Sequence, residues 1–435
     1  MNRFIKTLAL FLLILPVAAQ AEVEIKEVTS PGGITAWLVE EHSIPFVALD
    51  IRFRGGTSLD DPARRGAVYL MTALLEEGTG DLDARGFARA LEELAATFEY
   101  RADQDAVTVS ARMLSENRDA TIELLRGSIL APRFDNDAVE RVRGQVLSGR
   151  MSDANDPNDI AGTTFARLAF GDHPYGSDKE GTIDSVSALT RDDLLAAHRA
   201  VFARDRIYVG AVGDITAEEL GALLDDLFEG LPETGAAIPG PAEVLIQGGL
   251  EVVDFDTPQS VAVFGQRGID QDHPDFFAAY LLNQILGGGS FESRLMTEVR
   301  EKRGLTYGVY SYLVPRDLAA TYMGSVASAN ARIAEAIAVI RDLWADTAQN
   351  GVTAKELQDA KTYLTGAYPL RFDGNSTIAG IMVGMQMQGL PIDYIATRND
   401  KVNAVTLDEV NRVARELLDP EGLQFVVVGK PVGLE

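Results

Sequence analysis

The sequence predicts an α+β protein built from two similar domains. Three observations carry that expectation. The chain has 435 residues, more than one ordinary hydrophobic core organises and enough for two domains of about 200 residues each. A block near its middle recurs near its end: Leu189–Leu194 and Ile207–Gly213 are matched by Val405–Val410 and Leu423–Gly429. Thr190 pairs with Thr406, Asp192 with Asp408 and Gly213 with Gly429 at a constant offset of 216. Apolar strand-like runs alternate with amphipathic stretches such as Ala84–Ala95 and Asn330–Asp346, which places helices against one face of a sheet in each domain.

Each copy of the repeat follows the same local logic. A Thr N-caps a helix with acidic residues in its first turn, and an apolar strand ending in Gly follows. The two openings also correspond, Val47–Leu49 leading through Asp60-Asp61-Pro62 and Val261–Val263 through Asp272-His273-Pro274. Between the copies, residues 228–249 hold Pro232, Gly235, Pro239, Gly240 and Pro241, the composition of a connector. The expected organisation is a leader over residues 1–21, a first domain over 22–227, the linker 228–249 and a second domain over 250–435. Two similar domains on one linker suggest a clamshell with a cavity between them.

The leader has the parts of an export signal. Arg3 and Lys6 precede the apolar run Leu8–Leu15, and Ala19-Gln20-Ala21 offers small residues for cleavage. That run is shorter than the roughly 20 residues a membrane span needs, and no later segment approaches that length. The chain is therefore expected in the periplasm or outside the cell, beginning at Glu22. The absence of cysteine removes thiolate metal sites and cysteine nucleophiles. A formal charge of −26 argues against nucleic acid and anionic lipid as partners and is compatible with basic peptides.

Zinc catalysis needs three protein ligands and a base to activate the metal-bound water. The four histidines, His42, His173, His198 and His273, are too far apart in sequence to form H-x-x-E-H or H-E-x-x-H. His173 and His273 each precede proline in expected turns, and His198 falls in an Ala-rich helix, so structural roles are expected. No nucleophile elbow and no P-loop are present; Gly287-Gly288-Gly289-Ser290 lacks the lysine of a phosphate cradle.

Several segments together resemble the insulinase/pitrilysin zinc-peptidase family, in particular its small bacterial members and mitochondrial processing peptidase. The most specific is Leu286-Gly287-Gly288-Gly289-Ser290-Phe291-Glu292-Ser293-Arg294-Leu295, continuing through Val299-Arg300-Glu301-Lys302-Arg303-Gly304-Leu305-Thr306-Tyr307. His173-Pro174-Tyr175-Gly176, Gly181-Thr182 and Val212-Gly213-Asp214 add to it, and the likeness spans nearly the whole chain after the leader. It implies two homologous α+β domains, each a mainly antiparallel sheet packed with helices, forming a clamshell around a peptide chamber.

The family's H-x-x-E-H frame survives here as Gly66–Thr79 without its chemistry. Tyr69 and Ala73 stand where the two histidine ligands belong, Thr72 where the general base belongs, and Gly149 where the third ligand belongs. No metal is expected in this chain. The family's second-domain arginine and tyrosine, which hold the substrate backbone and stabilise the oxyanion, are matched in type and spacing by Arg300 and Tyr307. A helix over Glu292–Arg303 ending at Gly304 and a strand over Tyr307–Tyr312 are expected to bring them together. Gly287, Gly288 and Gly289 would let backbone approach a peptide closely, or form a simple turn. The strand Ala106–Ser110 reads as a plain sheet strand, although its alternation also suits an edge for an extended peptide.

The resemblance thus implies a subunit inactive alone. It would donate Arg300 and Tyr307 to a zinc-bearing homologous partner in a heterodimeric metalloendopeptidase acting on peptides. The alternative is a catalytically silent scaffold or peptide-binding protein of the same fold.

Overall fold

In the computed structural model, residues 24–289 and 292–434 are described. The export leader expected over residues 1–21 lies outside them. Among the described residues no helix is long and apolar enough to cross a membrane.

Each half is built on one large, mainly antiparallel sheet, and the first also has the two-stranded pair Gly78–Thr79 and Leu82–Asp83. The first large sheet runs Lys26–Thr29, Thr35–Glu40, Ile207–Gly213, Phe46–Arg54, Ala106–Leu114, Thr97–Ala102 from edge to edge, and only the pairing of Thr35–Glu40 with Ile207–Gly213 is parallel. The second runs Val309–Pro315, Ala320–Ala329, Gln259–Arg267, Gln424–Gly429, Gly249–Asp254, again with one parallel pair, the last. The second sheet repeats the first strand for strand, apart from the extra edge strand Lys26–Thr29. The helix Ala217–Phe228 closes the first half, and the strand Gly249–Asp254 opens the second.

The repeated block folds for the reasons its residues suggest. Thr190 and Thr406 each accept a hydrogen bond from the backbone three residues on, and the carboxylates of Asp193 and Glu409 return the bond in a capping box. Gly213 and Gly429 lie at φ 137° and 150°. A Cβ there would come within 2.2 Å of the Phe46 carbonyl oxygen and 2.5 Å of Ser260 Oγ, respectively. Only glycine fits where the strand bends away at each copy's end.

Helix and strand limits differ from expectation in several places. The two amphipathic helices span Ala84–Leu94 and Ile333–Asn350, the first ended by Ala95 in the left-handed region. Ala106–Leu114 is an interior strand, paired on both sides; the free edge beside it is Thr97–Ala102.

Helices also do not keep to one face. The helix Pro157–Phe170 leaves the first half and lays Ala161, Phe165, Ala169 and Phe170 on Val261, Val263, Val426 and Val428 of the second sheet. In return Asn375–Met387 places Ala379, Met382 and Met385 against Trp37 and Val212 of the first. Each sheet carries apolar residues on both faces, so each needs cover on both. The halves also meet through polar contacts. Arg54 forms a two-pronged ion pair with Asp317 at 2.6 and 2.8 Å, Arg316 donates to Gln104 at 2.6 Å, and the Tyr175 hydroxyl donates to Asp105 while accepting from Leu318 N–H at 3.0 Å. Cavities of about 740 and 570 Å³ lie between them.

Candidate functional site

The degenerate frame is the short helix Ala67–Ala73. It begins at Gly66, whose φ of 91° turns the chain into the helix. The carboxylate of Asp60 accepts from Gly66 N–H at 2.8 Å and Val68 N–H at 2.9 Å, so a distant side chain satisfies the helix start. Burial pushes the Asp60 carboxyl up to about 7, against the pull of those two hydrogen bonds.

Nothing on this helix suits a metal. Thr72 is 2 % exposed, and its hydroxyl donates to the Val68 carbonyl at 2.8 Å. Ala73 packs against the core of the first half. Tyr69 is half-buried; its phenol is pushed up to about 12, first by burial and then by the Glu180 carboxylate to which it hydrogen-bonds. Gly149, in the helix Asn136–Asp153, presents no side chain and has open space where a Cβ would be.

Its neighbour Arg150 does the local electrostatic work. The Arg150 guanidinium pairs with Asp153 at 2.9 Å, Asp178 at 2.8 Å and Glu180 at 3.9 Å, and Lys179 lies 6.0 Å from the Tyr69 ring centre. The chain's own cations thus face the carboxylates beside Tyr69. Hydroxyl, methyl and phenol groups at 72, 73 and 69 are a poor zinc set. Among the described residues no group of three or more His, Asp or Glu is arranged to hold a metal.

Each of the four histidines has a hydrogen-bond partner within the chain. His42 Nδ1 lies 2.8 Å from Asp214, and His198 Nε2 donates to the Ile129 carbonyl at 2.6 Å. His173 and His273 each accept a backbone N–H two residues on, in turns before proline.

Arg300 and Tyr307 flank a corner of the second half. Arg300 is half-buried in a π-helical segment, Met296–Glu301, rather than in a regular helix reaching Arg303. That segment closes through Gly304 N–H to the Arg300 carbonyl at 2.9 Å and Leu305 N–H to the Val299 carbonyl at 3.0 Å, with Gly304 at φ 58°. Tyr307 does not enter the strand, which starts at Val309. It sits on a bend and is 89 % exposed. The bend itself is pinned, because the Thr306 hydroxyl donates toward the Gly308 and Ala327 carbonyls at 2.8 and 2.6 Å and accepts from Gly308 N–H at 3.1 Å.

The glycine run packs before it exposes. A Cβ on Gly287 would meet Ser311 Oγ at 2.4 Å, one on Gly288 would meet Gln284 Cα at 2.5 Å, and only Gly289, at φ 88°, faces open space. Gly287 and Gly288 therefore let this loop sit on Ser311, whose N–H donates to the Gly287 carbonyl at 2.9 Å.

Sequence reasoning missed Arg150, Glu180 and Asp60. Asp60 was visible only as part of a helix entry, and the spacing of Arg150 from Asp178 and Glu180 gives no local pattern.

The duplicated α+β halves define a two-domain metallopeptidase class, here with Tyr69, Thr72 and Ala73 in place of an H-x-x-E-H ligand set. The comparisons with known proteins agree. Residues 36–179 match the family model for Insulinase (Peptidase family M16), and residues 188–364 match that for the Peptidase M16 inactive domain. The crystal structure of a peptidase M16 inactive domain from Pseudomonas fluorescens superposes with a TM-score of 0.88 at 30 % identity, covering 95 % of this chain and 99 % of that one. A non-peptidase homologue, YmxG, of Helicobacter pylori is 27 % identical over 89 % of this chain and 90 % of its own length. An uncharacterized zinc protease of Mycobacterium leprae is 28 % identical over 90 % of this chain and 88 % of its own. This chain belongs to the insulinase, or M16 peptidase, family.

Proposed function

We propose that this chain is the non-catalytic subunit of a heteromeric zinc metalloendopeptidase, exported to the periplasm or the cell exterior. A homologous partner supplies the zinc and the general base; this chain supplies Arg300 and Tyr307 to the substrate backbone and the developing oxyanion. The observation that carries the reading is the contrast in exposure. Tyr307 stands 89 % exposed on a pinned bend, whereas Thr72 is buried and hydrogen-bonded within its own helix. A guanidinium and a phenol placed in advance donate to a carbonyl oxygen as it turns negative, each worth about 3 kcal/mol. The Gly287–Gly289 loop supplies close backbone approach at its exposed end, Gly289.

A second reading has one observation in its favour: the Helicobacter relative bears the name of a non-peptidase. In that case the chain is a scaffold or peptide-binding protein, and Arg300 and Tyr307 are silent.

The deciding experiment captures the tagged chain from its native host and measures zinc and chelator-sensitive cleavage of unstructured peptides in the eluate. Arg300→Ala and Tyr307→Phe chains run in parallel. A zinc-carrying partner of similar size, with cleavage that collapses in both variants, supports the shared site. Eluates without zinc or cleavage, or variants that behave like the parent, leave the scaffold.

A further inference from the structure

A cavity of about 480 Å³ lies where the crossing helix Asn375–Met387 meets the strand Phe46–Arg54 and the helices Phe276–Leu286 and Tyr394–Ala404. Its wall is aromatic, made by Phe276, Phe277, Tyr280, Tyr368, Phe372 and Tyr394. Arg52, Arg371 and Arg398 supply all of its charge, and no carboxylate lines it. The chain as a whole has 65 acidic and 39 basic residues. Four other cavities, of about 740, 570, 820 and 580 Å³, each carry three or more Asp or Glu side chains. Against that background a lining with three arginines and no acid selects for an anion.

The arginines are also short of anions. Arg398 is 4 % exposed; its guanidinium donates to the Leu364 carbonyl and Asn399 Oδ1, both at 2.9 Å, and lies 4.4 and 5.4 Å from the Tyr368 and Tyr280 ring centres. None of those partners is charged. Arg371 is exposed at the end of the 3₁₀ turn Tyr368–Arg371 and forms no ion pair among the described residues. Arg52 has one long pairing, Nε to Asp50 at 3.4 Å, and that buried Nε has no hydrogen-bond partner. A buried guanidinium costs desolvation that neutral carbonyls and ring faces offset only in part. A carboxylate matches its planar fork.

We infer that this cavity binds the free C-terminus of a peptide ending in an aromatic or large aliphatic residue. The aromatic wall takes the side chain and the arginines take the α-carboxylate. The volume is at the lower end of small-ligand pockets and suits one terminal residue. The remainder of a peptide has a path outward, because Arg52 also lines the 740 and 570 Å³ cavities between the halves, the second of which reaches Thr97, Glu99 and Arg101 of the free edge strand. The inference needs no cleavage and holds for a peptidase subunit or a scaffold alike.

The test is fluorescence anisotropy with the purified full-length mature chain and a labelled pentapeptide, Gly-Ser-Gly-Ser-Phe, as free acid and as C-terminal amide. The acid is expected to bind at least about tenfold tighter than the amide. Arg371→Ala and the cavity-filling Thr377→Trp, both at exposed positions, are each expected to weaken it by about tenfold with unchanged melting curves. Unlabelled 3-phenylpropionate is expected to compete at least about tenfold more weakly than the unlabelled peptide acid. Equal affinity for acid and amide, no binding up to about 1 mM, or acid binding unaffected by both variants would overturn the inference. Competition by 3-phenylpropionate as strong as by the peptide would also overturn it, in favour of a small-acid site.

Discussion

The helix Ala67–Ala73 and the corner bearing Arg300 and Tyr307 correspond, in the function proposed above, to the two halves of one active site, and their surroundings differ in opposite ways. At the helix the backbone frame is intact and the side chains have turned inward: Thr72 bonds to its own helix, Tyr69 to Glu180, and Arg150 to the carboxylates nearby. At the corner the backbone departs from regular helix and strand, yet it is held by Thr306 and leaves Tyr307 in the open. Hydrogen bonds that satisfy the chain itself mark where a site has become structure. A pinned bend under an exposed phenol is what the role proposed for Tyr307 requires.

The sharpest way to break this contrast is at the corner. In a heteromer with a zinc-bearing partner, Arg300→Ala or Tyr307→Phe is expected to lower kcat by about 100-fold or more, read by steady-state peptide cleavage, and Tyr307→Phe, at an 89 % exposed position, is expected to do so with the chain's melting temperature unchanged. At the frame, the same kind of truncation acts on stability. Arg150→Ala leaves Asp153, Asp178 and Glu180 without their shared cation and is expected to cost about 2–3 kcal/mol in urea unfolding.

Asp60 gives a pH signature of the same helix. Burial raises its folded value to about 7 from an ordinary value of 3.8, so its contribution is fully present below about pH 4 and is lost as pH rises through about 7. Asp60→Asn is expected to flatten the fall in urea midpoint between pH 4.5 and 7.5 relative to the parent. Thr72→Val has the smallest expected effect, below about 1 kcal/mol by thermal unfolding, since it removes only a hydroxyl bonded to its own helix.

The duplication was legible because its evidence is local. A Thr cap, an acidic first turn and a Gly where no Cβ fits leave the same residues at Thr190 and Thr406, and at Gly213 and Gly429. The stripped frame was legible only through the family resemblance, which assigns Tyr69, Thr72 and Ala73 to ligand and base positions that no local pattern marks. The rest depended on distance. The sequence of the helix Pro157–Phe170 does not say whose sheet it covers. Alternation in Ala106–Ser110 does not distinguish an interior strand from an edge. The π-helical turn around Arg300 depends on how Gly304 and Leu305 fold back, and the cavity walled by Tyr280, Tyr368 and Tyr394 gathers residues from separate helices with no motif in common.

The exchange of Pro157–Phe170 and Asn375–Met387 between the halves has a consequence for how the chain can be divided. A cut in the connector between Phe228 and Gly249 would leave each fragment with a sheet exposing an apolar face, cleft for a helix it no longer owns. Neither fragment would be expected to stay soluble by itself, yet the two expressed together hold complementary missing pieces. The duplication thus made a reciprocal pair, in which each copy acts as the other's lid and neither is a spare.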